Sequence, residues 1–189
     1  FLNPFSINSS SKIIIKSTPS FLISIIPSVY QYISALVLST AISPFQLGLF
    51  FGANRIYKAF NTLYGPISQV FFPLLSSSYE KNTSNAKILY KNYLLILFIL
   101  GIIFFIVNYY FSKDLVLFFL GNEFLESTKV LTLFSFVLLL TAISNAVARQ
   151  WLMANNKDIY YLSIILFSSL ISFLTFISLL ETQGSNAFP

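Results

Sequence analysis

Cysteine and histidine are both missing from the 189 residues. Their absence removes disulfides, thiol nucleophiles, imidazole bases and any metal centre built on Cys or His. Acid is almost as scarce. The six acidic residues begin only at Glu80, so the first 79 positions hold none. Charged residues of both signs reach 9%, whereas soluble domains carry about a quarter. The net charge of +5 falls mostly between apolar runs, where it acts as a topology signal and not as a nucleic-acid surface. A paired-carboxylate or histidine-based catalytic site has no material here.

What the chain has in abundance is apolar residues, 56% of the total, with 22 Phe. No charge falls in 17–54, 59–79, 92–112, 130–148 or 159–180. About 20 apolar residues suffice to cross hydrocarbon as a helix. The runs are continuous and not alternating, which excludes a β-barrel, and lipid offers no partners for open strand edges. The expected fold is an all-α integral membrane protein, a polytopic helix bundle. About five transmembrane helices are expected, at 18–41, 45–75, 92–111, 129–149 and 159–180. Residues 1–11 read as a linker from a preceding part, 12–181 as the membrane bundle, and 182–189 as a truncated loop. The chain is expected to be a fragment of a longer protein.

The second segment is the least apolar, since its middle reads ANRIYKAFNTLYG. Loop charge favours its crossing over its lying on the surface. If it crosses, Lys12, Lys16, Lys81, Lys87, Lys91, Arg149 and Lys157 share one side. The other side then holds Lys113 and Lys129 with Asp114, Glu123 and Glu126. The positive-inside rule places the first group in the cytoplasm. Residues 114–127 form a short amphipathic piece outside the membrane, stopped at Gly121, which reads as a lid or interfacial anchor.

Arg55 and Lys58 are the only charges between Lys16 and Glu80. A cation at bilayer depth is costly and is expected to face a protein interior or a wet path. At i and i+3 the two point the same way. At about 100° per residue, Arg55, Lys58, Asn54, Asn61 and Gln69 occupy about one third of the helix circumference. Tyr57 and Tyr64 add hydroxyls. These seven are the candidate substrate-binding residues. Arg grips phosphate in bidentate fashion and Lys adds a mobile point charge. The structural alternative is that both cations snorkel or bond neighbouring carbonyls.

Pro66 and Pro73 interrupt the hydrogen-bond ladder of this segment and read either as hinges or as static kinks. Ser20, Ser24, Ser28 and Gln31 share one face of the first segment, read first as close helix packing and alternatively as a second cavity wall. Ser144, Asn145, Arg149 and Gln150 read as a helix end at the cytoplasmic surface. Tyr109, Tyr110, Tyr160 and Tyr161 lie at segment ends, as interfacial belts require.

The run LGLFFGANRIYKAFNTLYGPISQVFFPLLS resembles the eighth transmembrane segment of bacterial polysaccharide flippases. These are the O-antigen translocase group of the multidrug/oligosaccharidyl-lipid/polysaccharide exporter superfamily. The matching residues are Gly48, Phe50, Arg55-Ile56, Gly65-Pro66-Ile67-Ser68-Gln69, Phe72-Pro73 and Ser76. Weaker matches are Leu120-Gly121-Asn122-Glu123-Phe124, Ser144-Asn145 and Gln150-Trp151-Leu152-Met153. The resemblance implies two helical bundles around a central cavity, this chain starting the second. It implies translocation of an undecaprenyl-pyrophosphate-linked oligosaccharide from the cytoplasmic to the outer leaflet of a bacterial inner membrane. Arg55 matches the basic position of the segment, with Lys58 beside it. The implied partners are that lipid-linked oligosaccharide, membrane lipids and the remaining N-terminal half of the protein. No cofactor, metal, nucleic acid or enzymatic activity is implied. Two departures stand out: no acid near Ser34, and Leu74 where relatives often have Arg. Against this stand a drug/cation antiporter, which needs a cavity acid, an enzyme of glycan assembly, which needs acid/base groups, and a non-transporting subunit.

Overall fold

The computed structural model describes residues 7–81, 84–154 and 157–183, and these are helical throughout apart from turns. The elements are α1 (Ile7–Ala41), α2 (Pro44–Thr62), α3 (Tyr64–Glu80), α4 (Asn85–Tyr110), α5 (Ser112–Phe119), a 3-10 turn at Asn122–Phe124, α6 (Ser127–Ser144), a π-helical turn at Asn145–Trp151, α7 (Leu152–Ala154) and α8 (Asp158–Gln183). Among the described residues four helices are long and apolar enough to cross a membrane: Thr18–Ala41, Asn85–Tyr110, Ser127–Val147 and Asp158–Ser178. The chain is a multi-pass membrane protein. The expected linker over 1–11 falls on residues 1–6, outside the described set, and on 7–11, which begin α1. The expected terminal loop falls mainly on 184–189, also outside it.

Contacts divide the chain into two compact units, 1–42 with 157–189, and 43–156. In the first, α1 and α8 pack on each other. Ile25, Ile26, Val29, Tyr30 and Ile33 of α1 and Leu166, Phe167, Leu170 and Phe173 of α8 line an apolar groove between them. Ser24 and Ser28 are exposed instead. Each bonds the carbonyl one turn back, at Ser20 and Ser24, 3.1 and 3.4 Å away. Such back-bonding satisfies a hydroxyl in lipid without a partner helix.

The second unit has α6 at its centre, against both α4 and α2. Its α4 face runs Leu97, Gly101, Phe104, Asn108, all buried, and that of α6 runs Leu131, Ser135, Leu138, Ala142. The two helices are antiparallel, with Gly101 beside Ala142 and Phe105 against Phe136. Gly101 is what permits the approach. A Cβ there would stand 2.8 Å from the Cβ of Ala142.

The second apolar segment is two helices, not one. Pro66 has no N–H to give the Thr62 carbonyl, and its ring crowds that carbonyl. The ladder therefore tightens at Leu63, whose N–H bonds Phe60 O at 3.1 Å, and restarts with Pro66 in the first turn of α3, where proline is tolerated. Pro73 lies inside α3 without ending it. The start of α2 is fixed by Ser43 and Gln46 in a capping box followed by Pro44, a signal present in the sequence as S-P-F-Q. At the far end Gly121 stops α5 with φ +90, the left-handed region glycine tolerates, as its position predicted.

Candidate functional site

Neither α2 nor α3 ranks among the four membrane-length apolar helices. Packing nevertheless places them at the same depth. Along α6, Leu49 carbonyl meets Ser127 Oγ at 2.9 Å, Tyr57 meets the Phe134 ring at 5.2 Å, and its hydroxyl meets Thr141 Oγ1 at 3.4 Å. Those partners, Ser127 to Thr141, are separated by about 21 Å at 1.5 Å per residue. Along α4 the contacts run the other way, from Phe60 on Phe104 to Phe71 on Tyr93. Over these contacts α2–α3 run alongside α4 and α6. The low hydropathy of α2 comes from its polar arc, not from a surface position.

One face of α2 builds the core. Leu49, Ala53 and Ile56 are buried, the last two against Val116 and Leu131. On a helix that commits the other side to face away. Arg55 and Lys58 are both exposed there, with Asn54 half-buried between core and arc. Their depth follows from Tyr57, whose partners Phe134 and Thr141 straddle the middle of the 127–147 span. From Pro44 the two cations are about 16 and 21 Å along the helix.

The seven predicted residues do not share one face. Arg55, Lys58 and Asn54 share the outward side of α2, and Gln69 is exposed one helix further on. Asn61 is half-buried, and its buried Oδ1 has no hydrogen-bond partner. Tyr57 and Tyr64 turn the other way, towards α6. Tyr64 is 1% exposed and donates its hydroxyl to the Leu138 carbonyl at 3.2 Å. It packs against Phe104 in the core and sits apart from the cationic side. Sequence reasoning did not single out Thr141, which meets Tyr57, or Tyr93, whose hydroxyl lies 3.0 Å from Ser68 Oγ. Both come from other helices, so no spacing along α2–α3 announces them.

The polysaccharide biosynthesis protein family model matches residues 2–129. The chain belongs to that family. The match includes α1 to α5 and every residue of the cationic side. No curated protein and no solved structure matches the chain. Membership in this polysaccharide biosynthesis family, on an all-α multi-pass scaffold, agrees with the resemblance carried by the GPISQ and FFP runs. α6 passes into the π-helical turn at Asn145, and the membrane-length span runs on to Val147, close to the end of the expected 129–149 segment. The side chains of Arg149 and Gln150 lie outside the described residues.

Proposed function

We propose that this member of the polysaccharide biosynthesis family flips a lipid-linked oligosaccharide across the bacterial inner membrane by alternating access, binding its anionic pyrophosphate head at Arg55 and Lys58. One observation carries the reading. Two cations stand at mid-span on the exposed side of α2, while the opposite side of the same helix is packed against α5 and α6. A membrane protein that holds two positive charges at that depth, with no acid anywhere before Glu80, is suited to an anion that must pass through hydrocarbon. Asn54 beside the cations, and Gln69 one helix further on, then serve to hydrogen-bond sugar hydroxyls of the same substrate. The unpaired Asn61 oxygen is a group that another conformation can pair, as rocking between inward and outward states requires. The partners are then the lipid-linked oligosaccharide and the remaining half of the transporter, and the protein moves its substrate without chemically changing it. A cationic drug would meet repulsion at the same face, which disfavours antiport of drugs.

The test is surface polysaccharide in cells whose own flippase is deleted, complemented by the full-length protein or its variants. Arg55→Ala with Lys58→Ala is expected to abolish export at unchanged protein level, with lipid-linked intermediates accumulating in the inner leaflet. Arg55→Lys is expected to keep part of it. Each charge-assisted bond of about 1.5–3 kcal/mol corresponds to about 10- to 100-fold in affinity. Wild-type export by the double alanine variant would remove these residues from the site.

A further inference from the structure

The exposed side of the segment between α4 and α6 is not used by the transport reading. It carries two adjacent aromatic side chains, Phe118 at 83% and Phe119 at 60% exposure, their rings edge to face at 4.9 Å. In water such a pair is a liability, so what covers it matters. Three observations bear on the occupant. One residue, Phe111, separates α5 from the end of α4, a membrane-length helix, and α6 begins again at Ser127, so both ends of the segment are tied to the bilayer edge. The final turn of α4 carries two exposed rings, Tyr109 and Tyr110, edge to face at 5.2 Å, with Tyr110 72% exposed. Tyrosines at a helix end mark the headgroup level. Finally, α5 itself is amphipathic in three sectors. Ser112 and Val116 are buried in the bundle, with Leu115 packed against the same core; Phe118 and Phe119 are exposed about 100° apart; Lys113 and Asp114 lie outside that arc and are exposed. Charges beside an aromatic arc are how a helix lying in the interface plane is built.

The same segment grips the transport helix. On either side of the Gly121 stop, Leu120 and Phe124 close over Gly52 of α2, so tightly that a Cβ at Gly52 would stand 3.0 and 3.3 Å from their side chains. Gly52 lies one turn before Arg55.

We propose that α5 is an interfacial foot. Phe118 and Phe119 sit in the lipid headgroup–acyl boundary, on the side opposite Lys81, Lys87 and Lys91. Leu120 and Phe124 tie Gly52 of α2, one turn before Arg55, to that level. The occupant is the lipid surface itself, not a protein partner and not a soluble ligand. The proposal does not depend on what the cations bind.

Site-directed spin labelling tests it in the full-length protein reconstituted in phosphatidylethanolamine–phosphatidylglycerol vesicles. Nitroxides are attached one at a time through Phe118→Cys, Phe119→Cys and Lys113→Cys, in a background with no other cysteine. Collisions with oxygen, which concentrates in lipid, and with a water-soluble nickel chelate are compared. The expected result is an oxygen-to-nickel ratio several-fold higher at 118 and 119 than at 113, with depths just below the phosphates. A nickel accessibility at 118 equal to that at 113 would make α5 a solvent-facing lid. Protection of 118 from both reagents would mean that protein covers it. Either result overturns the foot.

Discussion

Arg55 and Lys58 are exposed because Ala53 and Ile56 are not. A helix that spends one side on packing leaves the other for chemistry. The tyrosines show the reverse case. Tyr64→Phe removes only the bond to the Leu138 carbonyl, and is expected to lower stability by about 0.5–1.5 kcal/mol with glycan export unchanged per folded molecule. Thermal unfolding in detergent together with export assays checks this. Loss of export without loss of stability would return Tyr64 to the binding site. Gly101 is the more severe position. Gly101→Leu would set its Cβ 2.8 Å from Ala142 Cβ and 3.3 Å from the Leu139 side chain, closer than van der Waals contact, and is expected to cost about 1–3 kcal/mol of α4–α6 packing. A melting temperature that does not fall would mean the two helices separate without penalty. The cations were legible in the sequence because a charge inside an apolar run needs a reason. The inward turn of Tyr57 and Tyr64 was not, because their partners lie 84 and 74 residues away.

At the scale of the element, the break at Leu63 decides how α2 presents its arc. Pro66→Ala restores an N–H to the Thr62 carbonyl and is expected to fuse α2 and α3 into one straighter helix. Spin labels at positions 45 and 77 would then move apart, towards the roughly 48 Å that 32 residues span in a continuous helix. An unchanged distance distribution would assign the break to tertiary packing instead of to proline. Helix existence was readable from uninterrupted apolar runs, which is why the ranges 18–41 and 159–180 agree with the observed spans to within a few residues. The division of 45–75 was foreshadowed by Pro66, while the extension of α4 back to Asn85 was not, since Lys87 and Lys91 hid it. Charges in a first helical turn reach water by snorkelling, so hydropathy stops short of the helix.

At the scale of the molecule, α2–α3, α4 and α6 run side by side within one unit. Their order places Lys81, Lys87 and Lys91 at one end and Lys113, Glu123, Glu126 and Lys129 at the other. A membrane-impermeant maleimide applied to intact spheroplasts is expected to label Lys113→Cys but not Lys87→Cys, and inside-out vesicles should give the opposite. Labelling of both positions from one side would mean that α4 does not cross, and the depth assigned to Arg55 would fall with it.

Composition by itself determined the class of this protein. So much apolar length with so little charge can be stable only in lipid, and there continuous, non-alternating apolar runs satisfy their own backbones as helices. The sequence also marked where the unusual charges lie. What only the tertiary structure decided is which side of α2 those charges occupy and how deep they sit. Both depend on the packing of Ala53, Ile56 and Tyr57 against α5 and α6. That packing is set by long-range complementarity between helices, a property that no single periodicity along the chain encodes.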